Sequence, residues 1–207
     1  MFKSIFSNSF GILISRVSGF GRDILMTSVL GANMWSDIFL MAFKFPNLFR
    51  RIFAEGSFTQ SFMPSYIASR QKSVFAVAIF IRFMAVIIGF SLIVTLFPAF
   101  FTKLLAWDWN ADLIAKTAPL TTINFWYLDL IFIVTFLGTL LQHKEHFFTT
   151  AFSTVWLNIA MIVTLMLFAH SDPKTIVYAL SFSILVGGVL QESKNSAHKL
   201  SFSILVG

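Results

Sequence analysis

The chain has 207 residues, of which 57% are hydrophobic and only 12% are charged, about half the charged share of an ordinary soluble domain. This composition excludes a single soluble globular domain, because one core of this size would leave large apolar patches exposed. The sequence contains no cysteine, which excludes disulfides, thiolate metal sites and cysteine nucleophiles. We therefore predict an integral membrane protein. Lysines and arginines in its cytoplasmic loops account for much of the net charge of +6, so this charge does not indicate a nucleic-acid partner.

Apolar segments long enough to cross a bilayer recur along the chain. A spanning helix needs about 20 mostly apolar residues, and this length predicts about six of them. They are residues 5–30, 35–54, 74–101, 117–141, 147–169 and 175–191. A polar connection at residues 55–72 separates the second segment from the third, and the later loops are short, which makes neighbouring helices antiparallel. The predicted fold class is therefore all-α, a polytopic membrane helical bundle.

Lysine and arginine residues near the predicted helix ends set the orientation, because cytoplasmic loops carry an excess of both. One side of the bundle collects Lys3, Arg50, Arg51, Arg70, Lys72, Lys144, Lys194 and Lys199. The opposite side collects Lys103, Lys116 and Lys174, together with the interfacial residues Trp107 and Trp109. We therefore expect both termini to lie in the cytoplasm.

The first predicted helix carries charges at a depth where a membrane helix normally has none. On a helical wheel, one stripe holds small and charged residues, while the opposite face is apolar. The stripe and its edge contain Gly11, Ser15, Arg16, Ser18, Gly19, Arg22 and Asp23. A charge at mid-bilayer costs at least about 2.5–3.5 kcal/mol on insertion scales, so such residues normally pair or face a water-filled cavity. Close helix packing explains the glycines and serines. It does not explain two arginines, which favour a hydrated, cationic cavity that holds an anion.

The second predicted helix repeats this pattern at alternating spacings of four and three residues. Its polar face contains Asp37, Met41, Lys44, Leu48, Arg51 and Glu55. Pro46 lacks an amide hydrogen and should kink the helix, and a kinked helix beside a cavity can swing. The candidate hinge positions are Gly19, Gly21 and Pro46. The charges at the end of this helix, including Arg50, also fit an ordinary cytoplasmic helix end, where cations complement the helix dipole.

Two further polar residues lie inside apolar segments. Asp129 could bind a proton in a coupling role, or it could pair with one of the arginines of the stripe. Asn158 is of the kind that more often joins packed helices than binds a ligand. The histidines lack metal-ligand spacing, and the sequence contains no phosphate-binding glycine loop, catalytic triad or aspartate cluster of the kind that holds Mg²⁺. We therefore predict no catalytic residues, no metal site, no cofactor and no enzyme activity.

Residues 15–66 resemble the start of the MurJ/MviN family of lipid II flippases, and the most specific run is FKFPNLFRRIFAEGSFTQSFMP at residues 43–64. The resemblance implies a member of the multidrug/oligosaccharidyl-lipid/polysaccharide exporter superfamily, whose two six-helix lobes surround a central cavity. Residues 1–191 would form the N-terminal lobe. The implied partners are membrane lipids and lipid II, the undecaprenyl-pyrophosphate-linked peptidoglycan precursor. The implied activity is alternating-access transport of lipid II from the cytoplasmic to the periplasmic leaflet of the bacterial inner membrane.

The resemblance also implies roles for individual residues. The candidate substrate-binding residues are Arg16, Arg22, Arg50 and Arg51. The candidate gate or cavity residues are Ser15, Asp23, Asp37 and Glu55, to which the charge pattern of the second predicted helix adds Lys44. Guanidinium groups suit this task, because they bind phosphate oxygens bidentately and keep their charge in a low-dielectric cavity.

The end of the chain departs from the family. Family members have two lobes, whereas this sequence has apolar segments for one, and residues 181–187 recur identically as residues 201–207. We expect residues 192–207 to be an aberrant tail of a truncated, duplicated or frameshifted reading frame, and to be poorly ordered. Closing the cavity would require the missing C-terminal lobe or a second copy. The alternatives to a flippase are an inactive or non-transporting membrane fragment or subunit, and a related exporter of polysaccharide-lipids or drugs.

Overall fold

The computed structural model describes the backbone of residues 2–54, 57–142 and 147–203, and the side chains of residues 9–49, 58–141 and 154–193. All regular structure within these residues is helical, which confirms the predicted all-α class. The helices in chain order are α1 (Phe2–Leu30), α2 (Met34–Ala54), α3 (Ser57–Ala68), α4 (Lys72–Leu96), α5 (Pro98–Leu105), α6 (Ala111–Phe125), α7 (Tyr127–Gln142), α8 (Phe147–Leu167) and α9 (Pro173–Ser203).

Each apolar segment predicted from the sequence contains helix, but the connections differ from the expectation. The predicted polar connection at residues 55–72 contains α3. Phe58 and Phe62 lie one turn apart on α3, are both buried, and stack with their ring centroids 5.4 Å apart. These apolar contacts fold a segment whose serines and proline favoured a loop. The predicted fourth span consists of two helices, α6 and α7, which meet at Trp126.

Three helical stretches of the described residues are long and apolar enough to cross a membrane. They are Lys72–Leu96, Ala111–Leu141 and Pro173–Ser193. The described apolar part of α8, Thr154–Leu167, is shorter. The charges of α1 and α2 lower their mean hydropathy, which is the same feature that sets these helices apart in the sequence. The number of six spans stays a prediction.

The last helix runs past the predicted end of the lobe. α9 continues to Ser203, so residues 192–203, which we expected to be poorly ordered, are helical. Glutamate, lysine, alanine and leucine are good helix formers, and this stretch contains all four. Residues 204–207 lie outside the described residues, and the division of the chain at residue 191 stays a prediction.

The turn between α1 and α2 follows from local backbone chemistry. Gly31 has a φ of 65°, and its amide donates a 2.9 Å hydrogen bond to the carbonyl of Thr27. This left-handed conformation ends a helix readily at glycine, which has no Cβ to clash. Asn33 then caps α2, because its Oδ1 accepts hydrogen bonds from the amides of Trp35 at 2.8 Å and Ser36 at 3.1 Å.

The first of two compact units comprises Met1–Phe39 and Leu140–Gly207. Within it, α8 packs against both α1 and α9. The contact between α8 and α9 is close at Gly187, where a Cβ atom would lie 2.9 Å from the Cα of Leu157. Small residues bring membrane helices together in this way, because dispersion between close backbones replaces the hydrophobic effect that lipid cannot supply.

The second unit comprises Leu40–Thr139, and aromatic rings fill its interior. One cluster contains Phe45, Phe49, Phe90, Phe101 and Phe125. Another contains Phe58, Phe62, Phe80, Phe83, Phe132 and Phe136. Such ring pairs contribute about 0.5–1.5 kcal/mol each beyond their area burial. Phenylalanine side chains therefore connect the helices from α2 through α7 inside this unit.

Candidate functional site

Arg22 lies at the centre of a polar cluster between α1 and α8, which we call the Arg22 cluster. Its Nε and Nη2 donate to Oδ1 of Asp23 at 3.0 and 2.7 Å, and its Nη1 donates to Oδ1 of Asn158 at 3.1 Å. The sulfur of Met161 lies 3.9 Å from Nη1. The Arg22 side chain is 22% exposed and that of Asp23 is 57% exposed. The guanidinium is therefore held in place by Asp23 and Asn158, and part of it is exposed.

Asn158 fixes the orientation of this cluster. It is only 2% exposed, and its Nδ2 donates to Oγ of Ser18 at 2.8 Å and to the carbonyl of Ser15 at 3.2 Å. Ser18 Oγ itself donates to the Ser15 carbonyl at 2.9 Å. With both amide hydrogens committed to α1, Oδ1 of Asn158 faces Arg22 as an acceptor. The asparagine thus joins two helices and positions the guanidinium.

The role of Asn158 beside Arg22 is the part of the site that sequence reasoning missed. We interpreted the residue as helix-packing glue, and the structure agrees that it joins helices. Its hydrogen bond to Arg22 links residues 136 positions apart. A lone amide inside an apolar segment was the available signal, since such a group needs a partner on a neighbouring helix. The identity of that partner depends on the packing of α1 against α8.

Asp23 and Ser15 were predicted as gate or cavity residues, and both contact the Arg22 cluster. The structure does not bring Arg16 into it. Arg16 is exposed on α1 and forms no ion pair with any described residue. Gly19 faces the cluster, since a Cβ atom there would lie 3.5 Å from Nδ2 of Asn158, whereas a Cβ at Gly21 would meet no atom within 4 Å. The two predicted hinge glycines therefore have different surroundings.

The predicted residues of α2 are described only in part. Asp37 and Lys44 are exposed, and neither forms an ion pair with a described residue. Pro46 is buried, and α2 continues through it to Ala54. The residues whose side chains or backbone lie outside the description are Arg50, Arg51 and Glu55. Asp37 belongs to the first compact unit, and Lys44 and Pro46 belong to the second.

Asp129 lies in the second unit, and no described arginine forms an ion pair with it. It is 5% exposed on α7, and Oγ of Ser91 on α4 lies 2.7 Å from its Oδ2. The two ion pairs of the described residues are Arg22–Asp23 and Asp112–Lys116. Among the described residues, no three histidine, aspartate or glutamate side chains lie close enough together to hold a metal ion.

Comparison with known proteins identifies the family. A family model described as "Lipid II flippase MurJ" matches residues 26–195. A probable lipid II flippase MurJ from Helicobacter pylori is 48% identical over 167 residues, which cover 81% of this chain and 36% of the relative. The lipid II flippase MurJ from Burkholderia cenocepacia is 32% identical over 205 residues, which cover 92% of this chain and 38% of the relative. The chain thus spans a little over a third of the length of these curated relatives.

A solved structure of a lipid II flippase MurJ in an inward closed conformation has the same fold. The TM-score is 0.78 at 20% identity, over 90% of this chain and 41% of that chain. At this identity the match shows the fold alone, and it confirms the fold that the resemblance in residues 15–66 implied. The fold and the apolar helices make this chain a membrane protein. Because the family model covers most of its residues, the chain belongs to the lipid II flippase MurJ family.

Proposed function

We propose that this chain is the N-terminal lobe of a flippase in the bacterial inner membrane. It moves lipid II, the undecaprenyl-pyrophosphate-linked peptidoglycan precursor, from the cytoplasmic to the periplasmic leaflet by alternating access, with both of its termini in the cytoplasm. The observation that carries the proposal is the family match over residues 26–195. The transport cycle needs no covalent step, so no catalytic residue and no cofactor is required.

The geometry of the Arg22 cluster favours binding of an anionic ligand. Asn158 orients the guanidinium from α8, and the remaining partner, Asp23, is more than half exposed. Exposed ion pairs contribute only about 0–1 kcal/mol, so an incoming phosphate can displace the aspartate at little cost. Charge-assisted hydrogen bonds to phosphate are shorter and stronger than neutral ones. The cluster therefore acts as a pre-oriented cation that exchanges Asp23 for the pyrophosphate.

The other candidate residues fall into three groups with different roles in this proposal. Arg16, Arg50 and Arg51 add positive charge for the same headgroup. The residues that line or gate the cavity are Ser15, Asp23, Asp37, Lys44 and Glu55. The hinge positions are Gly19, Gly21 and Pro46. Lipid II and membrane lipids are the direct partners, and a second lobe, supplied as further sequence or as a second copy of this chain, completes the cavity.

Binding of undecaprenyl pyrophosphate tests this proposal. The chain is reconstituted in lipid nanodiscs and titrated with that lipid and, for comparison, with undecaprenyl alcohol, which lacks the pyrophosphate. We expect Arg22→Gln to weaken binding of undecaprenyl pyrophosphate and to leave binding of undecaprenyl alcohol unchanged. One lost charge-assisted hydrogen bond is worth about 1.5–3 kcal/mol, which corresponds to roughly 10- to 150-fold in affinity.

The matched control is Arg82→Gln, which removes an exposed arginine of α4 that lies outside the proposed site. This variant should bind the pyrophosphate lipid like the unmodified chain. Equal losses in the two variants would mean that general positive charge attracts the lipid. Unchanged binding by Arg22→Gln would reject Arg22 as a pyrophosphate ligand.

A further inference from the structure

We propose that Asp129 is a buried proton-binding site that holds a proton at neutral pH. This inference concerns the second unit and does not depend on which lipid the chain transports. Asp129 lies on α7 and is 5% exposed, and Ser91 on α4 is fully buried. The two side chains meet at 2.7 Å between Ser91 Oγ and Asp129 Oδ2. The other carboxyl oxygen, Oδ1, is buried and has no hydrogen-bond partner.

Unpaired buried polar atoms are concentrated at this position of the fold. Within the part of the chain that the structure describes, the buried side-chain atoms without a partner are Oδ1 of Asp129 and both amide atoms of Asn124. These residues flank Trp126, where α6 ends and α7 begins. Most buried polar groups in proteins are hydrogen-bonded, and the exceptions are often found at functional positions. The α6–α7 junction is therefore the place in the described interior where buried side-chain polar atoms lack partners.

No described cation compensates a negative charge on Asp129. Arg82 precedes Ser91 by nine residues, which places it about 13.5 Å away along α4 at 1.5 Å per residue. The other described charged residues on the helices of this unit form no ion pair with it. They are Lys44 on α2, Lys72 on α4, Lys103 on α5, and Asp112 and Lys116, which pair with each other on α6. An isolated buried carboxylate is costly enough that the group neutralises instead.

The short contact with Ser91 fits a neutral carboxyl group. Ser91 Oγ donates to Oδ2 at 2.7 Å, a distance typical of an O–H···O hydrogen bond. In a neutral Asp129, Oδ2 accepts this hydrogen bond as the carbonyl oxygen, and the proton lies on Oδ1, which has no hydrogen-bond partner. Leaving a neutral oxygen unpaired costs far less than leaving a charged one unpaired.

Infrared spectroscopy of the chain in a detergent without ester groups, whose carbonyl bands would overlap those of carboxylic acids, tests the proposal directly. At neutral pH we expect the carbonyl stretching band of a protonated carboxylic acid. Asp129→Asn should abolish this band, and Ser91→Ala should shift it, because the hydrogen bond to Oδ2 is lost. The matched control is Asp112→Asn, which removes an exposed aspartate that pairs with Lys116 at 2.6 Å and should leave the band unchanged.

Each outcome decides the question. If the unmodified chain shows no protonated-carboxyl band at neutral pH, Asp129 is ionised and the proposal is wrong. A band that neither Asp129→Asn nor Ser91→Ala changes belongs to another residue, which also overturns it. If Asp129→Asn does not fold, the shift caused by Ser91→Ala in a folded protein still assigns the band to Asp129.

Discussion

The close contact between α8 and α9 makes a quantitative prediction at Gly187. An alanine there would place its Cβ 2.9 Å from both the Cα and the Cδ1 of Leu157, and 3.4 Å from the Cβ of Ala160. The Cδ1 atom can move by rotation of the side chain, but the Cα atom cannot move unless the two helices separate. Overpacking of this kind typically costs about 1–3 kcal/mol.

A matched substitution isolates this cost. Alanine is a better helix former than glycine by roughly 0.5–1 kcal/mol, so Gly187→Ala combines a clash with a gain. Gly89→Ala on α4 carries the gain alone, because a Cβ there would meet no atom within 4 Å. The difference between the two variants therefore measures the clash. It should lower the thermal unfolding midpoint of Gly187→Ala relative to Gly89→Ala by about 2–12 °C, at about 2–4 °C per kcal/mol for a chain of this size.

Thermal unfolding in detergent, followed by intrinsic tryptophan fluorescence, is the assay. If Gly187→Ala is as stable as Gly89→Ala, the helices do not approach as closely as described and the reasoning is refuted. Separation of α8 from α9 should also disturb the Arg22 cluster, because Asn158 directly follows Leu157 on α8. Gly187→Ala should therefore weaken binding of undecaprenyl pyrophosphate as well as stability.

Three further predictions concern single side chains. Asn158→Leu should weaken binding of undecaprenyl pyrophosphate to nanodiscs by about tenfold, the equivalent of about 1.4 kcal/mol, because Arg22 loses its orienting partner; unchanged binding would contradict this. Asn110 caps α6 by accepting from the amide of Leu113 at 2.9 Å, so Asn110→Ala should cost about 1 kcal/mol in thermal unfolding, and Asn110→Asp, which keeps an acceptor, should not. The hydroxyl and then the amide of Thr175 lower the pKa of Asp172. Its stabilising contribution is therefore complete above the ordinary pKa of about 3.9 and is lost as pH falls through the lower, folded-state pKa. Thermal unfolding of Asp172→Asn should lack this acid-dependent loss, and an identical acid profile would count against a stabilising role for the hydrogen bonds from Thr175 to Asp172.

Hydropathy predicted much of the fold. Each predicted apolar segment contains helix, and the break after α1 follows from Gly31 and Asn33, whose roles depend on neighbouring backbone atoms. α3 was missed because its stability comes from Phe58 and Phe62 packing against distant rings, which a local polar composition does not reveal. The helical continuation of α9 was missed because the repeated segment suggested an aberrant tail, whereas helix propensity depends on residue type alone.

The charges in the first helix predicted part of the candidate site, but they did not reveal which residues contact these charges. Arg22 and Asp23 were identified because charges in an apolar helix require a reason. The hydrogen bond from Arg22 to Asn158 required knowledge of which helix packs on α1. Similarly, Asp129 was recognised as unusual, but the sequence did not reveal that Ser91 lies beside it. Long-range pairing is the information that a single sequence lacks.

Leu157 and Asn158 are adjacent on α8, yet they contact different neighbours. Leu157 presses on Gly187 of α9, while Asn158 bonds to the serines of α1. A shift of α8 by one residue along its axis would break both the contact with Gly187 and the hydrogen bonds to α1. Any motion of the first unit that preserves these contacts therefore carries α1, α8 and α9 together as one block.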